Sequence, residues 1–316
     1  MKTPRLVLGV TAAILLMTAV SFAQGEKDGQ GQIVVTILPK HDGGEAPAVS
    51  VQDAKLKVNG KETAITRLTA LSGSRDNLEL VVLIDNSSRS SLGNQLSDIE
   101  KFILRLPPNA RVGVAYMQFG QAVMAAPPST DHAQAVRGIH LPSGSAGSNG
   151  SPYFCLSDLA KHWPETDGAA RRVVLMVTDG VDEYNPRYDP NNPYMQAALA
   201  DSVKAGLVVY SIYWRGRGPA DNTAYQNNAG QNLMVQVTDA TGGKSFWQGT
   251  GNPVSFEPFL DELTRRLRNQ YELSFATAFN GKPTVEGVKL KLSVPGAEVN
   301  SPQQVFITRP GLAENQ

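Results

Sequence analysis

The chain has 316 residues, 41% of them hydrophobic and 18% charged, with Lys+Arg and Asp+Glu equal at 29 each. That length holds one large domain or two modest ones, and the composition excludes a disordered chain. The charge balance gives no basic excess for nucleic acid and no acidic or basic tail.

The first residues, MKTPRLVLGVTAAILLMTAVSFAQ, begin with Lys2 and Arg5, continue through an apolar stretch and reach the triplet Ser21-Phe22-Ala23. This is the layout of a secretory signal peptide cleaved after Ala23, with an uncleaved membrane anchor as the alternative. No later segment is apolar enough to span a bilayer. The expected location is extracytoplasmic, periplasmic or secreted. The single cysteine, Cys155, forbids an internal disulfide and reads as buried filler.

Residues 24–31, QGEKDGQG, read as a flexible leader. QIVVTILPK reads as a strand. In VSVQDAKLKVNGKETAITRLTAL, apolar and polar residues alternate around Asn59-Gly60, a strong hairpin signal. The chain therefore opens on a small antiparallel β unit. From Leu78 onward strands and helices alternate. LELVVLID is a strand and NQLSDIEKFILRL a helix; RVGVAYMQF is a strand, and QAVMAA a short edge strand. DHAQAVRGI is a short helix capped by Asp131, SPYFCLSDLAKHW a helix and RRVVLMVTDG a strand. YMQAALADSVKAG is a helix, LVVYSIYW a strand, GQNLMVQVTDATGG a helix, KSFW a short strand and SFEPFLDELTRRLRNQ a helix. Strands apolar on both faces, separated by helices, call for an α/β fold with a doubly wound, mostly parallel sheet. After Gln270 only strands are expected. They can join the N-terminal segment in one small flanking β unit, because chain ends often lie close together.

In such sheets ligands sit at the C-terminal ends of the strands. Two strands here end in aspartate: VVLIDNSSRS at Asp85 and VVLMVTDG at Asp179. Between them lies the Gly/Ser loop 143–151. Three oxygen-rich loops at one sheet edge suit a hard divalent cation such as Mg²⁺. With these motifs, residues 78–269 resemble the von Willebrand factor type A domain, and more narrowly secreted bacterial proteins described as VWFA-related. With the patterns above, the chain divides into a signal peptide (1–23), a leader (24–31), an N-terminal β segment (32–74), a vWA-like domain (75–270) and a C-terminal β segment (271–310). The flanking β segments also look like those of the VWFA-related proteins. The resemblance implies a metal-ion-dependent adhesion site in which Asp85 and Ser87 match the Asp-x-Ser-x-Ser loop and Thr178-Asp179-Gly180 the later aspartate. The family threonine falls near Ser148 or Ser151.

The pattern is broken at position 89, where Arg89 stands in place of the second serine. A guanidinium cannot ligate a cation and is always charged. The metal set Asp85, Ser87 and Asp179 is therefore degenerate, and the expected metal dependence is weak or absent. After Gly180, VDEYNPRYDPNNPYMQ brings Asp182 and Tyr184 to the same face in a Tyr-rich loop of the kind suited to protein recognition. The loop RGRGPADN, 215–222, matches neither nucleotide-binding glycine pattern. The expected function is a non-enzymatic protein-binding or adhesion module with an unknown protein ligand. The expected ligand face comprises Asp85, Ser87, Arg89, Ser148, Ser151, Asp179, Asp182 and Tyr184. The alternatives are a metal-dependent adhesion module, a structural cell-envelope component, or a secreted hydrolase using Asp85 or Asp179 with His140 or His162.

Overall fold

The computed structural model describes residues 29–40, 47–88, 90–145, 147–164, 170–185, 188–216, 223–249 and 251–309. The signal segment 1–23 and Arg89 lie outside them, as does most of the 215–222 loop.

The chain opens with β1 (Gly29–Pro39), β2 (Ala54–Val58), β3 (Lys61–Thr63) and β4 (Ile65–Ala70). The β2–β3 turn has Asn59 at φ 49° and Gly60 at φ 78°. Two consecutive left-handed residues make the hairpin turn that matches strand twist, and Asn-Gly is the pair that tolerates it. The α/β unit follows: β5 (Leu78–Asp85), α1 (Gly93–Leu104), β6 (Arg111–Gln118), β7 (Gln121–Ser129), α2 (His132–Arg137) and α3 (Pro152–Lys161). It continues with β8 (Arg171–Thr178), α4 (Pro193–Lys204), β9 (Val208–Tyr213), α5 (Ala224–Thr241), β10 (Ser245–Phe246) and α6 (Glu257–Arg268). The chain ends with β11 (Gln270–Thr277), β12 (Thr284–Leu292), β13 (Ala297–Asn300) and β14 (Gln304–Ile307).

The central sheet has the order β10-β9-β8-β5-β6-β7 and is parallel except for β7, which runs antiparallel to β6. All eight residues of β5 are buried, which explains its unbroken apolar run. Leu80, Val82 and Ile84 pack on one face with Ile99 and Phe102 of α1 and Leu260 and Leu263 of α6. Val81 and Leu83 pack on the other with residues of α3, α4 and α5. The strand order runs outward from β5 through β6 and β7, then restarts on its other side with β8. The gap between the ends of β5 and β8 is thus the topological switch point, the crevice where doubly wound sheets take ligands.

Three local expectations need correction. Residues 29–31 are not flexible leader but the start of β1, with Gln30 bridged to Thr308. A Cβ at Gly31 would collide with the rings and methyls of Phe275 and Ile307, so this glycine serves close packing. The edge strand β7 has nine residues, longer than the six expected. Helix α5 starts at Ala224, six residues before the expected Gly230, because Thr223 and Gln226 form a capping box ahead of a polar first turn that carries no apolar period.

The flanking strands form two four-stranded sheets, β13-β1-β11-β4 and β14-β12-β2-β3. Each draws strands from both chain ends, and the two share one core containing Ile33, Val35, Leu56, Leu273, Phe275, Val288 and Ile307. The expected single β unit is therefore a two-layer sandwich. It sits at the N-terminal ends of the parallel strands: a cleft of about 1310 Å³ between the units is lined by Gln32, Arg67, Asn77, Arg171, Arg172 and Lys204, among others.

Candidate functional site at the strand ends

Asp85 is the last residue of β5 and is fully buried. One carboxylate oxygen accepts hydrogen bonds from the backbone N–H of Ser87 (2.8 Å) and its hydroxyl (2.6 Å). The other accepts from Asn149 Nδ2 (2.9 Å) and Thr178 Oγ1 (2.9 Å). A single carboxylate thus ties together its own loop, the 143–151 loop and the end of β8. Asp179 is held by backbone donors: Val181 N–H on one oxygen (2.9 Å) and Gly216 N–H on the other (3.0 Å). The fit is close, since a Cβ at Gly216 would strike the Asp179 carboxylate, and one at Gly230 would strike its carbonyl.

The 143–151 loop is pinned from two sides. Asn86 receives Ser143 N–H on its side-chain oxygen (3.1 Å) and Gly144 N–H on its carbonyl (3.0 Å). The β6–β7 turn donates from Phe119 N–H to Ser148 O and from Gly120 N–H to Asn149 O, both at 2.8 Å. Tyr153 donates to Gly180 O at 2.7 Å. The hydroxyls of Ser88 and Ser148 are buried and have no hydrogen-bond partner among the described residues.

The sequence-selected residues separate into groups. Asp85, Ser87, Ser148 and Asp179 stand on loops that meet at the switch point. Ser151 has another job: its hydroxyl accepts Tyr153 N–H at 3.3 Å and caps α3. Asp182 is buried and structural, accepting Tyr184 N–H (3.1 Å) and Asn192 Nδ2 (3.0 Å), while Asn192 caps α4. Tyr184 is 63% exposed on the rim. Asn86, Asn149 and Phe119 escaped the sequence reading. The partners of Asn149 and Asn86 lie some sixty residues away, so no spacing betrays them. Phe119-Gly120, a two-residue link between apolar runs, carried a hairpin signal that was there to be read.

Electrostatically the site is a cluster of resisted carboxylates. Burial raises Asp85, against the pull of its hydrogen bonds to Ser87, Thr178 and Asn149. Asp179 is pushed up to about 7, first by burial and then by the charge of Asp85. Glu183, on the rim, is raised by partial desolvation and by the charges of Asp85 and Asp182.

The two strand-end carboxylates are engaged by donors of the protein itself. Both oxygens of Asp85 are each taken by two donors, and both oxygens of Asp179 by backbone N–H groups. The Asn149 side chain turns its NH₂ toward the carboxylate, which presents a donor where a metal needs an acceptor. No group of three His, Cys, Asp or Glu among the described residues is arranged to hold a metal.

Beside this site stands a group of aromatic side chains. Phe154 meets Tyr184 at a centroid distance of 5.4 Å and Tyr194 at 4.5 Å. Phe119 is 79% exposed at the tip of the β6–β7 turn with φ 48°, a left-handed conformation that a bulky residue rarely adopts. Gly120 beside it is packed against Phe154, and Gly150 against the Tyr184 ring.

No family model matches the chain, and no curated protein matches it. Among solved structures it is similar to an aerotolerance-related membrane protein from Bacteroides fragilis NCTC 9343, at 14% identity and TM-score 0.40, over 60% of this chain and 98% of that one. It is also similar to the conserved hypothetical protein BatB from Bacteroides thetaiotaomicron (14% identity, TM-score 0.39, 60% and 97%). A third is the SpRpn10 VWA domain (10% identity, TM-score 0.34, 56% and 96%). Likeness of that degree fixes neither activity nor ligand.

Proposed function

We propose that this chain is a non-enzymatic, extracytoplasmic protein-binding module of von Willebrand factor A type that engages its partner through the strand-end face without a divalent ion. The observation that carries this reading is Phe119. A large apolar side chain stands almost fully in water, on a backbone conformation costing about 1 kcal/mol or more, beside Phe154, Tyr184 and Tyr194. The two-residue β6–β7 turn demands the left-handed backbone, as at Asn59-Gly60, but it does not demand a large apolar side chain at its exposed tip. A group of rigid aromatics beside a polar centre is the composition of a recognition surface.

The saturated Asp85 network supports metal independence, since it holds the three loops in place without an ion. The hydrolase reading finds little support. His162 stands at the far end of α3 from the site, about 15 Å away by helix rise, and its ring contacts Asp158 at 3.0 Å. His140 stacks on Tyr116 at 4.0 Å. Export rests on residues 1–23, and mass spectrometry of the exported protein should find Gln24 as its first residue.

A photo-crosslinking amino acid at position 119 tests the face itself, with one at Leu104, exposed on α1, as control. Discrete protein adducts from position 119 that vanish with Tyr184→Ser are expected. Equal adducts from both positions, or none from 119, would count against the reading.

A further inference from the structure

We propose that the outward face of the β14-β12-β2-β3 sheet is a docking surface for an anionic lipid bilayer. In the β2–β12 ladder Leu56 and Val58 face the sandwich core opposite Leu290 and Val288. Strand alternation therefore puts Lys55, Lys57, Lys289 and Lys291 on the outer face, and all four are exposed. The register sets Lys57 directly opposite Lys289 and Lys55 directly opposite Lys291. Like charges so placed repel, and a sheet carries them at a cost. None of the four takes part in an ion pair among the described residues. Glu62, opposite Lys57 on β3, shares their face.

Lysine often guards sheet edges against unwanted pairing. That reason does not apply here, because β2 and β12 are the two inner strands of their sheet. Nor does a general basic excess explain the cluster, since the chain has 29 cations and 29 anions. The lysine Cβ atoms stand about 7 Å apart along the strands and about 5 Å across them, on the part of the face beyond Val285 and Phe306, which pack against the α/β unit. Lysine is a hydrated point charge on a flexible stem, suited to a dispersed plane of headgroup charge more than to one bidentate ligand. Each such lysine strengthens attachment to an anionic membrane about fivefold. Docking there leaves the strand-end site open, since the sandwich adjoins the opposite ends of β5 and β8. This inference is independent of the reading of that site.

The test is co-sedimentation of the full chain with phosphatidylcholine vesicles, with and without 30% phosphatidylglycerol, in low salt and in 500 mM NaCl. The readout is the difference between the two vesicle types, which removes any contribution of the apolar residues near the N-terminus. Wild type should pellet preferentially with the anionic vesicles and lose that preference in high salt. The quadruple variant Lys55→Gln/Lys57→Gln/Lys289→Gln/Lys291→Gln should lose it in low salt, with an unchanged or raised melting temperature. The double variant Lys289→Gln/Lys291→Gln, a milder change, should weaken it about 25-fold. An equal preference in wild type and variants, or none in wild type, overturns the proposal. Lysine-dependent binding to soluble heparin without vesicle binding overturns it too, and would assign the face to an acidic polymer.

Discussion

The two ends of the parallel sheet bury charge in opposite ways. At the N-terminal end Arg171 is buried and both of its terminal guanidinium nitrogens are engaged, donating to Asp76 (2.5 Å), to Gln270 Oε1 (2.6 Å) and to Leu267 O (2.8 Å). It joins the start of β8 to the end of α6 and the start of β11, clamping the sandwich to the α/β unit. At the C-terminal end Asp85 is buried just as deeply, but its partners are neutral donors and the nearby Asp179 and Glu183 raise the electrostatic cost. One end balances its charge with an opposite charge and is structural. The other holds carboxylates against their preference, which is the pattern of a site kept for function.

The largest effect should come from unpairing the first end. Arg171→Met leaves the Asp76 carboxylate, Gln270 and a helix-end carbonyl without their donor, and should cost about 3–5 kcal/mol, the scale for breaking a buried pair. A lowered urea midpoint with an unchanged slope would register it. A loss below about 1 kcal/mol would mean that the clamp is dispensable.

The acidic end should respond in the opposite sense, through pH. Asp179 has a folded pKa of about 7 against an ordinary 3.8, so its ionisation is paid for by the folded state. Its favourable contribution is complete below about pH 4 and is lost as pH rises through about 7. Melting temperature should therefore fall between pH 5 and pH 8, and Asp179→Asn should remove most of that fall. A variant with the wild-type slope would place the titrating group elsewhere.

The smallest effect concerns the rim. Phe119→Gly relieves a left-handed conformation and should raise stability by about 1 kcal/mol or less, while weakening partner capture. Stability and function would then move in opposite directions at one residue, as expected where strain serves binding.

How much of this the sequence disclosed depends on the range of the interaction. Local patterns were readable: the buried run of β5, the Asn59-Gly60 turn, and the Asp131 cap, whose carboxylate accepts from Ala133 and Gln134. The two strand-end aspartates were readable because an apolar run followed by Asp is a local motif. The sandwich was only half visible. Its register pairs Val35 with Tyr271 and Leu56 with Leu290, across more than two hundred residues, and nothing local encodes that. The capping role of Ser151 was not separable from a site role in sequence, because a helix cap and a site hydroxyl look alike, both being a hydroxyl before a helix. The lysine pairs were invisible until the register put them face to face.

The central claim is that the strand-end site is held by its own hydrogen bonds and works without an ion. Calorimetric titration of the protein with Mg²⁺, Mn²⁺ and Ca²⁺ tests it most directly, with Arg89→Ser as the companion variant. The account predicts no saturable binding by wild type below millimolar concentrations, and tighter binding by Arg89→Ser, which removes a cation and adds an oxygen. Micromolar, saturable binding by wild type that disappears with Asp85→Asn would contradict it.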